Sequence, residues 1–110
     1  GFITPKGMAI RIGSVVTLLK LAPSERKYRH HKENCLVFRE EECGKCIRRC
    51  PAGAITEKGH DKDKCREYIN SESLKAKRLE YGLQNPPPAC GLCQTAVPCE
   101  FEIPRADLIA

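Results

Sequence analysis

Cys43-Gly44-Lys45-Cys46-Ile47-Arg48-Arg49-Cys50-Pro51 decides how this chain is read. Two thiols three residues apart face one side of a tight loop, a third follows about one helical turn later, and Pro51 then stops any helix because it lacks an N–H. Backbone through Cys50-Pro51-Ala52-Gly53-Ala54-Ile55 is therefore expected to wrap a compact object, with its small residues permitting close approach. Outward from this run, Cys35 precedes it, and Cys65, Cys90, Cys93 and Cys99 follow, the last beside Pro98. The eight cysteines thus fall into two quartets, which implies two sites. Gly44 inside the first C-x2-C is echoed by Gly91 inside the second, Cys90-Gly91-Leu92-Cys93, and a missing side chain suits backbone pressed against a ligand.

Little else in the sequence can hold it together. Its 110 residues fit one small domain, aromatics make up only 5%, Trp is absent, and there are eight Pro, eight Gly and 30% charged residues. Small chains bury proportionally little surface and need staples or metals. No apolar run is long enough to span a bilayer, and no segment has the pattern of a secretory signal, so the expected setting is cytoplasmic, with no membrane. The chain starts at Gly1 and not Met, which is expected of a processed product or of a piece of a longer polypeptide. Net charge is +5 with every thiol counted as neutral. Eight thiolates around two clusters would remove roughly four of those charges, so bulk charge is a weak nucleic-acid signal.

The run C-x2-C-x3-C-P is the last three-quarters of the bacterial ferredoxin pattern C-x2-C-x2-C-x3-C-P, in which three thiolates hold one 4Fe-4S cube and the fourth reaches a second cluster. The first cysteine of that pattern would fall at position 40, which is Glu40, and Cys35 is the nearest substitute. By the same interleaving, Cys35, Cys43, Cys46 and Cys99 are expected to hold cluster 1, and Cys50, Cys65, Cys90 and Cys93 cluster 2. A zinc-stabilised interaction module is the first alternative. It would use the C-x2-C pairs, but 43 residues separate Cys46 from Cys90, where a zinc ribbon spans roughly 15 to 20, and the C-x3-C-P extension has no part in it. Disulfides would need an oxidising compartment, and buried thiols without a ligand are the remaining alternative.

Around the cysteines, Met8, Ile10 and Ile12 alternate before Gly13-Ser14, and Val15, Val16, Leu18, Leu19 and Leu21 follow; this predicts two strands joined at a turn. Residues 22–34 hold Arg26, Lys27, Arg29 and Lys32 around Tyr28, His30 and His31, and read as a basic surface connector. Gly59-His60-Asp61 reads as a turn. Asp61 or Asp63 can cap a short helix through Tyr68, Ser71 can cap another from Glu72 to about Tyr81, and Gly82 is its expected stop. Pro86, Pro87 and Pro88 then deliver an extended approach to Cys90. The resulting expectation is an α+β chain: residues 1–34 a β-hairpin and basic connector, residues 35–110 a ferredoxin-like two-cluster domain forming one compact unit. Tyr28, Tyr68 and Tyr81 are expected to shield clusters or fill the core, and Lys45, Arg48 and Arg49 to lie beside the first cluster.

The stretch Cys43 to Ile55, with Gly59-His60-Asp61-Lys62, Cys65-Arg66-Glu67-Tyr68 and Cys90-Gly91-Leu92-Cys93-Gln94, resembles the iron-sulfur half of the epoxyqueuosine reductase family, itself similar to the reductive dehalogenases. The resemblance covers roughly residues 8–104, and Arg11-Ile12-Gly13-Ser14-Val15 looks like the family's strand leading from its corrinoid domain into the clusters. It implies two 4Fe-4S clusters coupled to a cobalamin held by an upstream domain, and reduction of an epoxide on a modified tRNA nucleoside or a related substrate. The sequence departs from the family in Glu40 and in Cys93-x5-Cys99, and it contains no corrinoid or catalytic-acid region, so no catalytic residue carries over. The functional expectation is an electron-transfer module, fed by a soluble donor such as ferredoxin or flavodoxin, with the alternative that it is the C-terminal part of a corrinoid-dependent reductase. Contact of the basic connector with tRNA is a weaker expectation.

Overall fold

The computed structural model describes residues 2–25, 27–39, 41–84 and 89–108. They form two compact units, one made of Gly44–Val97 and the other of Gly1–Cys43 with Pro98–Ala110. Secondary structure is mixed: three α-helices, short 3-10 turns and a two-stranded antiparallel hairpin are found among the described residues.

In the Gly44–Val97 unit, helix α1 (Lys45–Arg49) starts from Gly44, whose φ of 68° is left-handed. It ends at Cys50, which is extended (φ −78°, ψ 107°) because the ring of a following proline excludes the helical region. Strands β1 (Ile55–Thr56) and β2 (Gly59–His60) then pair with Ile55 opposite His60 and Thr56 opposite Gly59. The sequence reading took Gly59 and His60 for a turn; they form the return strand, and the reversal lies at Glu57-Lys58. The Ala54 carbonyl accepts from the Asp61 N–H at 2.8 Å, tying the base of the hairpin to the start of α2 (Lys62–Ile69). Asp61 caps that helix, its Oδ1 accepting from the N–H groups of Asp63 and Lys64 at 3.1 Å each. Ser71 caps α3 (Glu72–Glu80) by accepting from the Leu74 N–H. Gly82, at φ 72°, closes it: its N–H bonds the Leu79 carbonyl and the Leu83 N–H reaches back to that of Arg78, the pairing that satisfies the last orphan carbonyls of a helix. Ala54 is fully buried and Val97 nearly so.

In the other unit, the N–H groups of Met8 and Ala9 donate to the carbonyls of Cys99 and Glu100 at 2.8 and 3.2 Å. Gly7 makes this approach feasible. Its φ is 81°, and a Cβ there would coincide with the Glu100 carbonyl. Asn34 donates through its amide to the Ile3 carbonyl, and Arg39, at the end of a 3-10 turn (Val37–Arg39), reaches the Pro104 carbonyl. Leu36, Cys99 and Pro104 are buried in this unit.

The strands predicted within residues 8–21 are not formed. The described N-terminal residues hold a single bridge between Thr4 and Gly7, while Val15, Val16 and Leu18 are about as exposed as in an extended chain. Alternation supplies an apolar face but nothing to bury it on, and an isolated hairpin is marginal in water. Tyr81, expected in the core, is exposed and ends α3. Glu40, Arg26 and Pro86 to Pro88 lie outside the described residues. No helix among the described residues is long and apolar enough to cross a membrane.

Candidate metal centre

Each thiol of the predicted second set is placed by a local device. Cys50 ends α1, with its N–H on the Ile47 carbonyl and its own carbonyl accepting from Gly53, and this turn aims the Ala54 N–H at the Cys50 Sγ at 3.2 Å. Cys65 lies in the first turn of α2, its N–H donating to the Asp61 carbonyl at 3.2 Å, so the residue that caps the helix also sets the position of the thiol. Cys90 and Cys93 flank Gly91-Leu92, and the Gly91 carbonyl accepts from both the Gln94 N–H and the Thr95 hydroxyl.

Two of these thiols, Cys93 and Cys65, are held less readily ionised than a free cysteine. Burial pushes the Cys93 thiol up, and the thiolates of Cys50, Cys90 and Cys65 add to the effect, against a smaller lowering by a backbone N–H. Burial likewise raises Cys65, with Cys50 and Cys90 adding to it. Charge nearby therefore opposes ionisation of Cys65 and Cys93, and a cation beside them would favour it.

No three His, Cys, Asp or Glu side chains among the described residues are grouped as a single metal ion would need. Tetrahedral zinc with its bonds of about 2.3 Å would draw four sulfurs to within roughly 4 Å of one another. A four-iron cube places its iron atoms between the sulfurs and holds them farther apart. The eight cysteines form no disulfide.

The predicted first set divides between the units, and its members are described within each. Cys35 precedes buried Leu36, its N–H on the Lys32 carbonyl and its own carbonyl accepting from Arg39. Cys43 is half-buried at the end of its segment. Cys99 is buried and its thiol donates to the Met8 thioether at 3.1 Å. Cys46, in the other unit, lies within α1.

No known family model, curated protein or solved structure matches this chain.

Side chains outside the cysteines complete the picture. Arg49, expected beside the first set, donates from Nε to the Leu92 carbonyl at 2.9 Å, inside the Cys90–Cys93 loop. One terminal nitrogen of Arg78 donates to the carbonyls of Ile69 and Ala89 at 2.9 and 3.0 Å. In the basic connector Lys32 sits 4.0 Å above the Phe38 ring, and the rings of His30 and His31 lie 4.4 Å apart. The Glu33 carboxylate accepts from the N–H groups of Arg29 and His30, which lower its pKa. Sequence reasoning missed Met8, Arg78 and the Ala54 N–H. The only local signal for the last was the turn imposed by Pro51.

Proposed function

We propose that this chain is a ferredoxin-like electron-transfer module that holds two 4Fe-4S clusters, one on Cys50, Cys65, Cys90 and Cys93 and the other on Cys35, Cys43, Cys46 and Cys99. The placement of four thiols in one compact unit by local turns and a capped helix, with the Ala54 N–H on the Cys50 sulfur, carries the reading. These sulfurs come from three separate stretches of chain, and a cube is a ligand that four thiolates can share. The donor set fits the group: all-thiolate ligation suits iron-sulfur clusters, and the Ala54 N–H on the Cys50 sulfur is the kind of hydrogen bond that stabilises the thiolate. The first set rests on its spacing. When bound, the clusters supply one-electron redox chemistry; the chain's own residues orient the sulfurs and limit water access. A soluble donor such as ferredoxin or flavodoxin is the partner class that fits this role.

The test is anaerobic reconstitution followed by metal and sulfide analysis. About eight iron and eight sulfide per chain are expected for two cubes. A preparation that takes up only zinc, or only about four iron, refutes the two-cluster reading.

A second reading, the C-terminal part of a corrinoid-dependent reductase, is favoured by the exposed apolar series Ile12, Val15, Val16, Leu18, Leu19 and Leu21, since contiguous apolar surface marks a contact face. A polypeptide containing this sequence and an upstream domain would then co-purify with cobalamin, and absence of cobalamin from it refutes this reading.

A further inference from the structure

We propose that Arg49 and Arg78 are positioning residues that hold the Cys90–Cys93 loop against Cys50 and Cys65; the inference rests on the cluster reading for its metal readout. The two arginines reach the loop from different helices. Arg49 immediately precedes Cys50, and its Nε donates to the carbonyl of Leu92, which immediately precedes Cys93. One side chain therefore links the neighbours of two ligands that are far apart in sequence. Arg78, in α3, spans the carbonyls of Ile69, which closes the helix bearing Cys65, and Ala89, which immediately precedes Cys90. It links the neighbour of Cys90 to the C-terminal end of the helix that carries Cys65.

The need for such links follows from the chain's connectivity. Cys65 and Cys90 are separated by α3 and by the segment containing Pro86, Pro87 and Pro88. Closing the loop between them costs chain entropy, and side-chain bonds that hold it in place offset part of that cost. Arginine suits the task because its charge persists at any working pH and its planar fork donates in fixed directions.

The experiment reconstitutes the full chain anaerobically with ferrous iron and sulfide in parallel for wild type, Arg49→Leu, Arg78→Leu, the double variant and Arg78→Lys. Lys77→Leu, which removes the neighbouring charge on α3, serves as control. Each Leu variant is expected to lose one cluster selectively, iron falling from about eight to about four per chain, with one of two electron paramagnetic resonance signals lost and the other unchanged. Arg78→Lys restores part of the loss and Lys77→Leu changes nothing. A second readout uses the cluster-free chain and a bis-alkylating thiol reagent. Cross-links from Cys50 to Cys93, and from Cys65 to Cys90, are expected to fall about tenfold when the corresponding charged hydrogen bonds are removed.

Full iron and undiminished cross-linking in both Leu variants overturn the proposal, as does an equal loss in Lys77→Leu. If wild type takes up no iron while the cross-links still fall, the cluster reading fails and the positioning role stands.

Discussion

Replacing Gly7 with alanine separates two physical effects that usually act together. Gly7 has φ 81°, and its added Cβ would coincide with the Glu100 carbonyl. Left-handed backbone costs a non-glycine residue about 1–2 kcal/mol. Relieving the overlap means giving up the Met8 and Ala9 hydrogen bonds to Cys99 and Glu100, each worth about 0.5–1.5 kcal/mol. The total is about 2–5 kcal/mol of local destabilisation. Gly53 provides the backbone cost alone: φ is 58° and nothing lies within 4 Å of its Cβ position, so Gly53→Ala should cost about 1–2 kcal/mol. Gly13 has open space and no left-handed φ, so Gly13→Ala should be neutral or slightly stabilising. Amide hydrogen exchange at Met8 and Ala9 reads the first effect directly. Gly7→Ala should speed their exchange by roughly thirtyfold or more, up to the whole of their native protection, while the other two variants leave it unchanged. If Met8 and Ala9 in Gly7→Ala remain as protected as in Gly13→Ala, the close approach of the two segments is wrong.

Asp61→Ala removes two capping bonds and should destabilise α2 by about 1 kcal/mol, read as a loss of helical circular dichroism and slower cluster uptake at the site that uses Cys65. Ser71→Ala should have the smaller effect, since its single capping bond is long, at 3.4 Å. Cys50→Ser should perturb the cluster held by Cys65, Cys90 and Cys93, and Cys99→Ser the other; a redox titration followed by electron paramagnetic resonance that shows Cys50 acting on the set of Cys35, Cys43 and Cys46 would reverse the assignment. The lowered Glu33 pKa means that its carboxylate supports the turn at neutral pH and ceases to as pH falls through its lowered folded-state value. Exchange of the Arg29 and His30 amides should therefore gain an acid-dependent step that Glu33→Gln abolishes.

The parts of the fold that were legible in the sequence are those specified by neighbouring residues. Asp61 and Ser71 start their helices and Gly82 ends α3 as expected, because each satisfies backbone groups only a few residues away. Pro51 likewise stops α1 at the predicted place. The hairpin was misplaced for the opposite reason. The alternation at residues 8–21 has no partner to pair with, whereas Ile55–Thr56 and Gly59–His60 turn through Glu57-Lys58, a dipeptide without the usual Asn-Gly or Asp-Gly signal. At the site, the grouping of Cys50 with Cys65, Cys90 and Cys93 rests on the C-x3-C-P spacing. Arg78 was not legible, because a guanidinium that bridges two distant carbonyls leaves no mark on the residues around it.

The pairing of Met8 and Ala9 with Cys99 and Glu100 bears on the order in which a ribosome can complete this chain. The thiol of Cys99 and the sulfur of Met8 meet across 91 positions of sequence, with the whole Gly44–Val97 unit emerging between them. During synthesis that unit has all its residues available while the N-terminal segment still lacks its partner segment. Its folding can thus run ahead, whereas Met8 and Ala9 stay unpaired until Cys99 and Glu100 emerge. At translation rates of about 5–20 residues per second, the wait is several seconds or more, and the exposed aliphatic stretch at Val15 to Leu21 is open to a chaperone throughout it.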